Sequence, residues 1–384
     1  MDRKKLRIGL VSDAYYPHVG GIQEHIYHLG IELKKRGHYV KVITGSAGDD
    51  SAPEGIDVIR IGRIFQFPVN KSFSKASIGY EIVGKLRRVL KIEAFDIVHV
   101  HGALVPFLPL YSHILSDATN IHTFHAAFEN SLGYDIFKKL LQRIMKNIDG
   151  SIAVSETAKK SISHYFPDNY TIIPNGIDTK RFSPNKEILR KFQGFAPIIL
   201  FVGRFEPRKG LKYLFQAFNQ IVKKLPKAGL VVVGEGRLKE YYKSFLSKTA
   251  LKNVLFEGKV SMEKLPRYFS TCDVFCSPAY TGESFGIILL EALASGKPVI
   301  ASNISGYMTV IESGFNGVLV SPKEPDAITQ GILRIVKDDD FKGHLIENGL
   351  KSVEKYAWEN ISRMVENFYY KTIRKKRNKN NEHI

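Results

Sequence analysis

Residues 6–44 read LRIGLVSDAYYPHVGGIQEHIYHLGIELKKRGHYVKVIT, which is a short apolar run, a loop with two glycines, an amphipathic stretch and a second apolar run. This order predicts a β-strand at Leu6–Ser12, a helix, and a parallel β-strand at Tyr39–Thr44. Gly20 and Gly21 fall between the first strand and the helix. Such a loop lets a phosphate approach backbone N–H groups at the positive end of a helix. Taken alone, however, the two glycines fit a plain strand-to-helix turn better.

The same alternation continues along nearly the whole chain and predicts an α/β fold with parallel sheets. Further strands are expected at Asp57–Ile61, Ile97–His101, Asn120–Phe124, Gly150–Val154, Tyr170–Ile173, Ile198–Gly203, Gly229–Gly234, Val254–Gly258, Val274–Ser277, Pro298–Ala301 and Gly317–Val320. Because a single core stops growing at about 250–300 residues, a chain of 384 residues predicts two domains. The turn-rich segment Pro174–Pro184 marks their junction. We therefore expect a first domain over residues 1–180, a second over 181–359, and a C-terminal helix of about 360–384 that returns to the first.

The composition restricts the partners and the compartment. A net charge of +18, from 56 basic and 38 acidic residues, predicts a polyanionic partner such as nucleic acid, anionic lipid or a phosphorylated substrate. Nucleic acid is disfavoured because the chain has no zinc-finger, helix-turn-helix or aromatic RNA-binding motif. Cys272 and Cys276 fit neither a disulfide framework nor a zinc site. With no apolar run of about 18 residues and no signal-like N-terminus, we expect a soluble cytoplasmic protein.

Two segments of the second half carry charged residues at positions suited to anion chemistry. The loop GRFEPRKG follows the predicted strand Ile198–Gly203 and places Arg204, Arg208 and Lys209 at the carboxyl edge of a sheet. Cations there can offset the charge that develops on a departing diphosphate. A solvated turn before the next helix explains the same residues equally well.

The segment SPAYTGESFGIILLEALASGKPVIAS, residues 277–302, places Glu283 and Glu291 across the start of a predicted helix. Ser284 is a good N-cap, so the backbone N–H groups of the next three residues are predicted to be first-turn anion donors. Glu283 precedes the cap and can reach sugar hydroxyls. Glu291 lies inside an apolar run, where burial without a partner is unfavourable.

Four histidines, His99, His101, His122 and His125, lie near the ends of two predicted strands. A metal site is disfavoured because no carboxylate lies at ligand spacing. We expect no metal, and we expect His99 and His122 to lie in the core or behind the site.

The motifs VGG, IPNGID, VGRFEPRKG, VVGEG and ESFGIILLEALASGKPVIAS occur in this order between about Leu6 and Trp358. With these motifs in this order, the chain resembles the family-4 retaining glycosyltransferases of GT-B fold. That resemblance implies two Rossmann-like parallel-sheet domains facing across a cleft. The PRKG run and GGIQEH are most similar to the mannosyltransferases that act on phosphatidylinositol.

The resemblance also implies roles for individual residues, with no metal or other cofactor. It implies that Arg204 and Lys209 neutralise the leaving phosphate, that Glu283 holds the hydroxyls of the donor sugar, and that His125 lies beside the reacting sugar. The remaining implied substrate-binding residues are Gly20, Gly21, Gln23, Glu206, Gly234, Gly236, Phe285, Gly286, Ile287 and Glu291. The implied reaction retains the anomeric configuration without an assigned covalent nucleophile.

GDP-mannose is the expected donor, followed by UDP-linked hexoses, and the expected acceptor is lipid-linked at an anionic membrane surface. A soluble glycan acceptor and a sugar-nucleotide 2-epimerase on the same fold stay open as alternatives.

The segment Lys71–Lys91 is predicted to form a helix that docks on the membrane. Its inward face is expected to carry Ile78, Ile82, Leu86 and Val89, and its basic outer surface Lys85, Arg87, Arg88 and Lys91. An ordinary solvated helix is an equally good interpretation of this segment.

Overall fold

The computed structural model describes residues 4–18, 20–69, 72–102, 104, 107–128 and 130–381. It divides into two compact units, one made of Met1–Gly176 with Trp358–Ile384 and the other of Ile177–Ala357. The division after Gly176 falls inside the turn-rich segment Pro174–Pro184.

The first unit is built on an eight-stranded sheet in the order β4-β3-β2-β1-β5-β6-β7-β8. Its strands are β1 (Arg7–Val11), β2 (Tyr39–Ser46), β3 (Asp57–Val69), β4 (Ser72–Ile78), β5 (Ile97–His101), β6 (Thr119–Phe124), β7 (Gly150–Ala153) and β8 (Tyr170–Ile172). All neighbouring strands are parallel except β3 and β4, which are antiparallel.

The second unit is built on a six-stranded parallel sheet in the order β11-β10-β9-β12-β13-β14. Its strands are β9 (Ile198–Val202), β10 (Gly229–Val233), β11 (Val254–Gly258), β12 (Val274–Ser277), β13 (Val299–Ser302) and β14 (Val318–Val320). The two parallel sheets expected from the alternation are confirmed.

Helices cover these sheets. They are α1 (Gly21–Lys35), α2 (Ile82–Glu93), α3 (Leu108–Leu115), α4 (Leu132–Met145), α5 (Glu156–Ser163), α6 (Leu211–Lys224), α7 (Lys239–Lys243), α8 (Lys248–Leu251), α9 (Leu265–Thr271), α10 (Ile287–Ala294), α11 (Pro325–Lys337), α12 (Asp339–Val353) and α13 (Trp358–Asn381). The last of these belongs to the first unit. Among the described residues, none of the helices combines the length and the apolarity that crossing a membrane requires.

Alternation along the strands gives the first sheet two buried faces, as expected when helices cover both sides. Leu10 of β1 faces a core shared with α1 and α13, whereas its neighbour Val11 faces a core shared with α2 and α3. In the second unit, α6 and α11 pack over β10. The carboxyl ends of parallel strands in each sheet then meet at one edge, which is where ligands bind in open α/β sheets.

The helix predicted over Lys71–Lys91 is wrong in its first half. Lys71 lies outside the described residues, Ser72–Ile78 is β4, and α2 begins only at Ile82. The reason is tertiary: β3 continues to Val69, and its backbone groups need partners that β4 supplies along the hairpin. Ile78 is therefore in a strand and is 37% exposed, so it does not belong to the inward face of α2.

Candidate functional site

In the second unit the main cluster of charges forms where two adjacent strands end. β9 leads into the loop that carries Arg208 and Lys209, β12 leads into the loop that carries Glu283, and β9 and β12 are neighbours in the sheet. The Glu283 Oε1 atom accepts hydrogen bonds from Arg208 Nη1 at 2.7 Å and from Lys209 Nζ at 2.6 Å. A single carboxylate oxygen thus joins the two segments that the sequence indicated separately.

Glu206 extends this cluster. It pairs through Oε1 with Arg204 Nη1 at 2.7 Å and through Oε2 with Arg208 Nε at 2.9 Å. The Glu283 side chain is only 14% exposed, whereas that of Arg204 is 55% exposed. The cluster therefore contains three cations and two carboxylates, and its basic end faces solvent. A diphosphate that binds here competes with two carboxylates for cations that are already in position.

Arg208 makes contacts in this cluster that the family resemblance did not indicate. The sequence identified it as one of three cations on the loop, but only Arg204 and Lys209 received roles. In the structure Arg208 is the residue that contacts both carboxylates, and it also donates to the Gly282 carbonyl oxygen at 3.1 Å. Its position depends on a residue 75 positions later in the chain, which local sequence patterns do not reveal.

Glycines allow the loops of this site to approach each other closely. A Cβ atom at Gly210, where φ is +73°, would lie 1.9 Å from the Pro278 carbonyl oxygen, and one at Gly234, where φ is +128°, would lie 2.0 Å from the Gly203 oxygen. A Cβ atom at Gly236 would lie 2.7 Å from Phe205 Cβ. Gly234 and Gly236 thus lie against the start of the loop that carries Arg204.

The prediction that Ser284 caps the helix is wrong. The N-cap of α10 is Gly286, with φ of +93°, and the helix begins at Ile287. Only glycine fits at the cap, because a Cβ atom there would lie 2.9 Å from the Tyr307 ring. Phe285 precedes the cap, is buried and contacts the Tyr356 ring at a centroid distance of 5.7 Å. Of the three predicted first-turn donors, only Ile287 belongs to the first turn.

Tyr307 lies behind Glu283 and was not found from sequence. Its hydroxyl group is 2.6 Å from Ser277 Oγ at the end of β12. Burial raises the pKa of Tyr307 well above its usual value, and the charge of Glu283 raises it further, so the phenol stays neutral. Glu291 lies in the second turn of α10 and is 8% exposed.

In the first unit, three histidines meet where β5 and β6 end. His125 Nε2 lies 3.3 Å from His101 Nδ1, and the His125 ring centroid lies 4.8 Å from that of His25 on α1. His25 Nδ1 is 3.0 Å from Asn175 Oδ1. Burial lowers the pKa of His25 to about 4 and lowers the pKa of His125 well below its usual value. His125 is therefore neutral at physiological pH and able to exchange hydrogen bonds with a hydroxyl group.

His99 and His122, which were expected in the core or behind the site, are both buried. His99 is fully buried between the Tyr369 hydroxyl and Thr123 Oγ1, each 2.7 Å away, and His122 is fully buried 2.9 Å from His113.

Within the described part of the chain, one group of side chains has metal-ligand character, and it consists of His25, His101 and His125. Their ligand atoms lie within 4.8 Å of one another. The set differs from the one considered in the sequence, because His25 comes from α1 and is far from the strand ends in the chain. That the protein needs no metal stays a prediction.

The glycine loop lies beside this histidine group. Gly20 is the N-cap of α1 and Gly21 is its first residue. Gln23, implied to bind substrate, donates from Nε2 to the Ala14 carbonyl oxygen at 2.9 Å and so holds the loop against the end of β1. Asp13, which the sequence did not indicate, lies two residues after β1 and accepts from the Ser77 backbone N–H at 2.9 Å. Burial raises the pKa of Asp13 to about 8.

All four predicted docking residues, Lys85, Arg87, Arg88 and Lys91, are exposed on α2. Lys85 forms an ion pair with Glu81 at 2.9 Å.

Comparison with known proteins agrees with this architecture. The protein-family model "Glycosyltransferase Family 4" matches residues 19–181, and the family model "Glycosyl transferases group 1" matches residues 185–352. A phosphatidyl-myo-inositol mannosyltransferase of Mycobacterium leprae is 27% identical over 95% of this chain and 96% of its own length.

Two solved structures share the fold. A glycosyltransferase from Rickettsia africae has a TM-score of 0.79 at 21% identity and covers 97% of this chain and 99% of its own. Anabaena Alr3699/HepE, in complex with UDP and glucose, has a TM-score of 0.74 at 18% identity and covers 94% of this chain and 99% of its own. With both halves matched in order and both sheets of the expected type, the chain belongs to glycosyltransferase family 4 and has the GT-B fold.

Proposed function

We propose that this glycosyltransferase moves a hexose, with retention of configuration, from a nucleotide diphosphate donor to a lipid-linked acceptor. GDP-mannose is the proposed donor and phosphatidylinositol the first acceptor to test, because the relatives named as phosphatidyl-myo-inositol mannosyltransferases match over 95% of the chain. The observation that carries the proposal is the cluster in which Glu283 accepts from both Arg208 and Lys209.

The cluster separates two tasks. Glu283 binds hydroxyl groups of the donor sugar, while the cations beside it stabilise the negative charge that develops on the departing diphosphate. Arg204 and Lys209 contribute to this stabilisation, and so does Arg208. Preorganised charges of this kind act most strongly in the transition state, since they need no reorganisation when the bond breaks. The first-turn N–H of Ile287 and the positive end of α10 add to it.

The remaining donor contacts follow the family assignment. Glu291 accepts from the ribose, and the backbone at Gly234, Gly236, Phe285 and Gly286 forms neighbouring parts of the pocket. His125 contacts the reacting sugar as a neutral imidazole, beside the loop that carries Gly20, Gly21 and Gln23. No metal ion takes part, so EDTA is expected to leave turnover unchanged. A loss of turnover that Zn²⁺ or Mg²⁺ restores would contradict this.

The acceptor is proposed to lie at the inner face of the cell membrane, with the enzyme bound peripherally. Lys85, Arg87, Arg88 and Lys91 of α2 attract the anionic surface, at about 1 kcal/mol for each charge near it. Four such charges hold a protein reversibly.

The test is transfer from GDP-mannose to phosphatidylinositol in mixed micelles, with UDP-glucose as the alternative donor and NMR to assign the anomer. An α-linked product from the α-linked donor supports retention, and an inverted product contradicts it. Incubating the nucleotide sugar without acceptor tests the alternative, because epimerisation under those conditions would identify a sugar-nucleotide epimerase instead. Transfer to a soluble glycan but not to lipid would keep the donor chemistry and overturn the acceptor.

A further inference from the structure

Helix α4 of the first unit exposes an apolar surface that the proposed reaction does not use. Leu132, Ile136 and Leu140 are 72%, 66% and 52% exposed, and Phe137 beside them is 50% exposed. The first three are spaced at i, i+4 and i+8 and so lie along one face. We call these four side chains the α4 patch.

The α4 patch is not the face that anchors the helix. Tyr134 and Leu141 are buried on the side of the helix opposite Leu132, and Ile144 is buried at the edge of the patch. The Tyr134 hydroxyl accepts from the Leu104 backbone N–H at 3.0 Å. An ordinary surface helix has one apolar face toward the core and a polar face toward water. Helix α4 does have a polar side, but its apolar residues extend beyond the buried face onto the exposed surface. Contiguous exposed apolar side chains mark surfaces that bind a partner.

Positive charge borders the α4 patch. Lys139, Arg143 and Lys146 are exposed. At 100° for each residue, Lys139 lies about 60° and Arg143 about 20° to one side of Ile136 on the helix. The α4 helix contains one acidic residue, Asp135. Exposed apolar side chains flanked by Lys and Arg are the pattern of helices that lie in the interface of an anionic bilayer.

Neighbouring helices also expose apolar side chains. α2 contacts α3, and α3 contacts α4. Ile92 on α2 is 66% exposed and Ile114 on α3 is 44% exposed. The exposed basic residues of α2 belong to the same layer. Like charges on two copies of this layer would repel each other, so the charge favours an anionic membrane over a second copy of the chain.

The direction of α4 relates the patch to the reaction. β6 ends at Phe124, His125 follows it, and α4 begins at Leu132. The first turns of α4 are therefore at the carboxyl edge of the first sheet, which is the edge that carries His125 and the Gly20–Gly21 loop. A bilayer seated on the α4 patch is close to that edge, where a lipid headgroup has to arrive.

We propose that α4 inserts Leu132, Ile136, Phe137 and Leu140 into the interface of an anionic membrane, while the basic residues of α2 and α4 hold the lipid headgroups. This inference deepens the proposed function and rests on it, because the lipid-linked acceptor belongs to that proposal. Insertion predicts that apolar side chains of α4 contact the bilayer and that binding depends on anionic lipid.

The experiment is cosedimentation of the full chain with vesicles of phosphatidylcholine alone or with phosphatidylglycerol. The double variant Ile136→Ser with Leu140→Ser is expected to bind mixed vesicles about 100-fold more weakly, since each inserted side chain contributes roughly tenfold. The matched control is Ile188→Ser with Leu251→Ser, two apolar residues of the second unit that are 52% and 42% exposed. It should bind as the native chain does.

A second measurement reports insertion directly. Leu140→Trp should shift to shorter emission wavelength when mixed vesicles are added, and Ile188→Trp should not. Native binding by the double variant, or an unshifted Leu140→Trp spectrum, would overturn the proposal. So would loss of a native dimer in sedimentation velocity with the double variant, because the patch would then contact a second copy. GDP binding by calorimetry separates the two proposals: if it persists while vesicle binding is absent, membrane insertion fails and the donor site stands.

Discussion

Replacing Lys209 with alanine tests the donor chemistry most directly. The Lys209 side chain is 18% exposed, and its Nζ atom lies 2.6 Å from Glu283 Oε1, to which Arg208 also donates. The variant keeps Arg208 on Glu283, so the carboxylate is not left without a cation and the fold should survive. Loss of one hydrogen bond to a charged group lowers the free energy of unfolding by about 1.5–3 kcal/mol.

The kcat of Lys209→Ala should fall even though the variant stays folded. Removing one preorganised donor from a developing negative charge typically lowers kcat by about 10²–10³, which corresponds to about 2.7–4 kcal/mol. The assay measures kcat and KM for transfer from GDP-mannose to phosphatidylinositol, with calorimetry of GDP binding alongside. Lys223→Ala, at an exposed lysine in the last turn of α6, is the matched control and should be unaffected. Native kcat in Lys209→Ala, or an equal loss in Lys223→Ala, would refute the assigned role.

Three further predictions concern carboxylates and buried titratable groups. Glu283→Gln should impair sugar transfer while GDP binding stays nearly native, and Glu291→Gln should weaken GDP binding itself; equal losses of GDP affinity in calorimetry would contradict this division. His25 and His122 have folded pKa values near 4, so the unfolded chain takes up their protons first as the pH falls below about 6.5. Each should therefore remove about 3 kcal/mol of stability between pH 6.5 and 4, a loss that urea unfolding at the two pH values would detect. Asp13 has the opposite sign, because its folded pKa of about 8 lies above the unfolded value of 3.8 and stability is lost as the pH rises between them. Asp13→Asn should abolish that loss in urea unfolding at pH 5 and pH 8, and an unchanged pH dependence would count against a neutral Asp13 in the folded protein.

Sequence patterns were sufficient where the determining interactions are local. Twelve strands were predicted within a few residues of their observed bounds, because apolar runs between amphipathic helices reflect burial on both faces of a parallel sheet. A thirteenth, β3, was predicted at its start but extends eight residues beyond the predicted end. The missed strand, β4, is the one whose partner β3 extends beyond its own apolar run. The cap of α10 was misplaced for a similar reason, since the requirement for glycine at position 286 comes from Tyr307, which lies later in the chain.

The donor site shows the same division. The residue types at Arg204, Lys209 and Glu283 indicated anion and sugar chemistry from their positions after strands. Only the structure shows that Arg208 pairs with both Glu206 and Glu283, because the contact with Glu283 depends on β9 and β12 being neighbours in the sheet. His25 likewise joins His101 and His125 only when α1 packs against the ends of β5 and β6.

The sequence by itself determined the fold class, the family and the two charged segments of the donor site, since periodicity and collinear motifs are properties of the chain. Tertiary structure alone decided which side chains meet and which stay exposed. In LGYDIFKKLLQRIM, residues 132–145, apolar side chains cover more than half of the helix circumference, so the sequence pattern does not distinguish a buried leucine from an exposed one. Leu141 is buried and Leu140 is 52% exposed because packing against neighbouring elements uses only one side of α4.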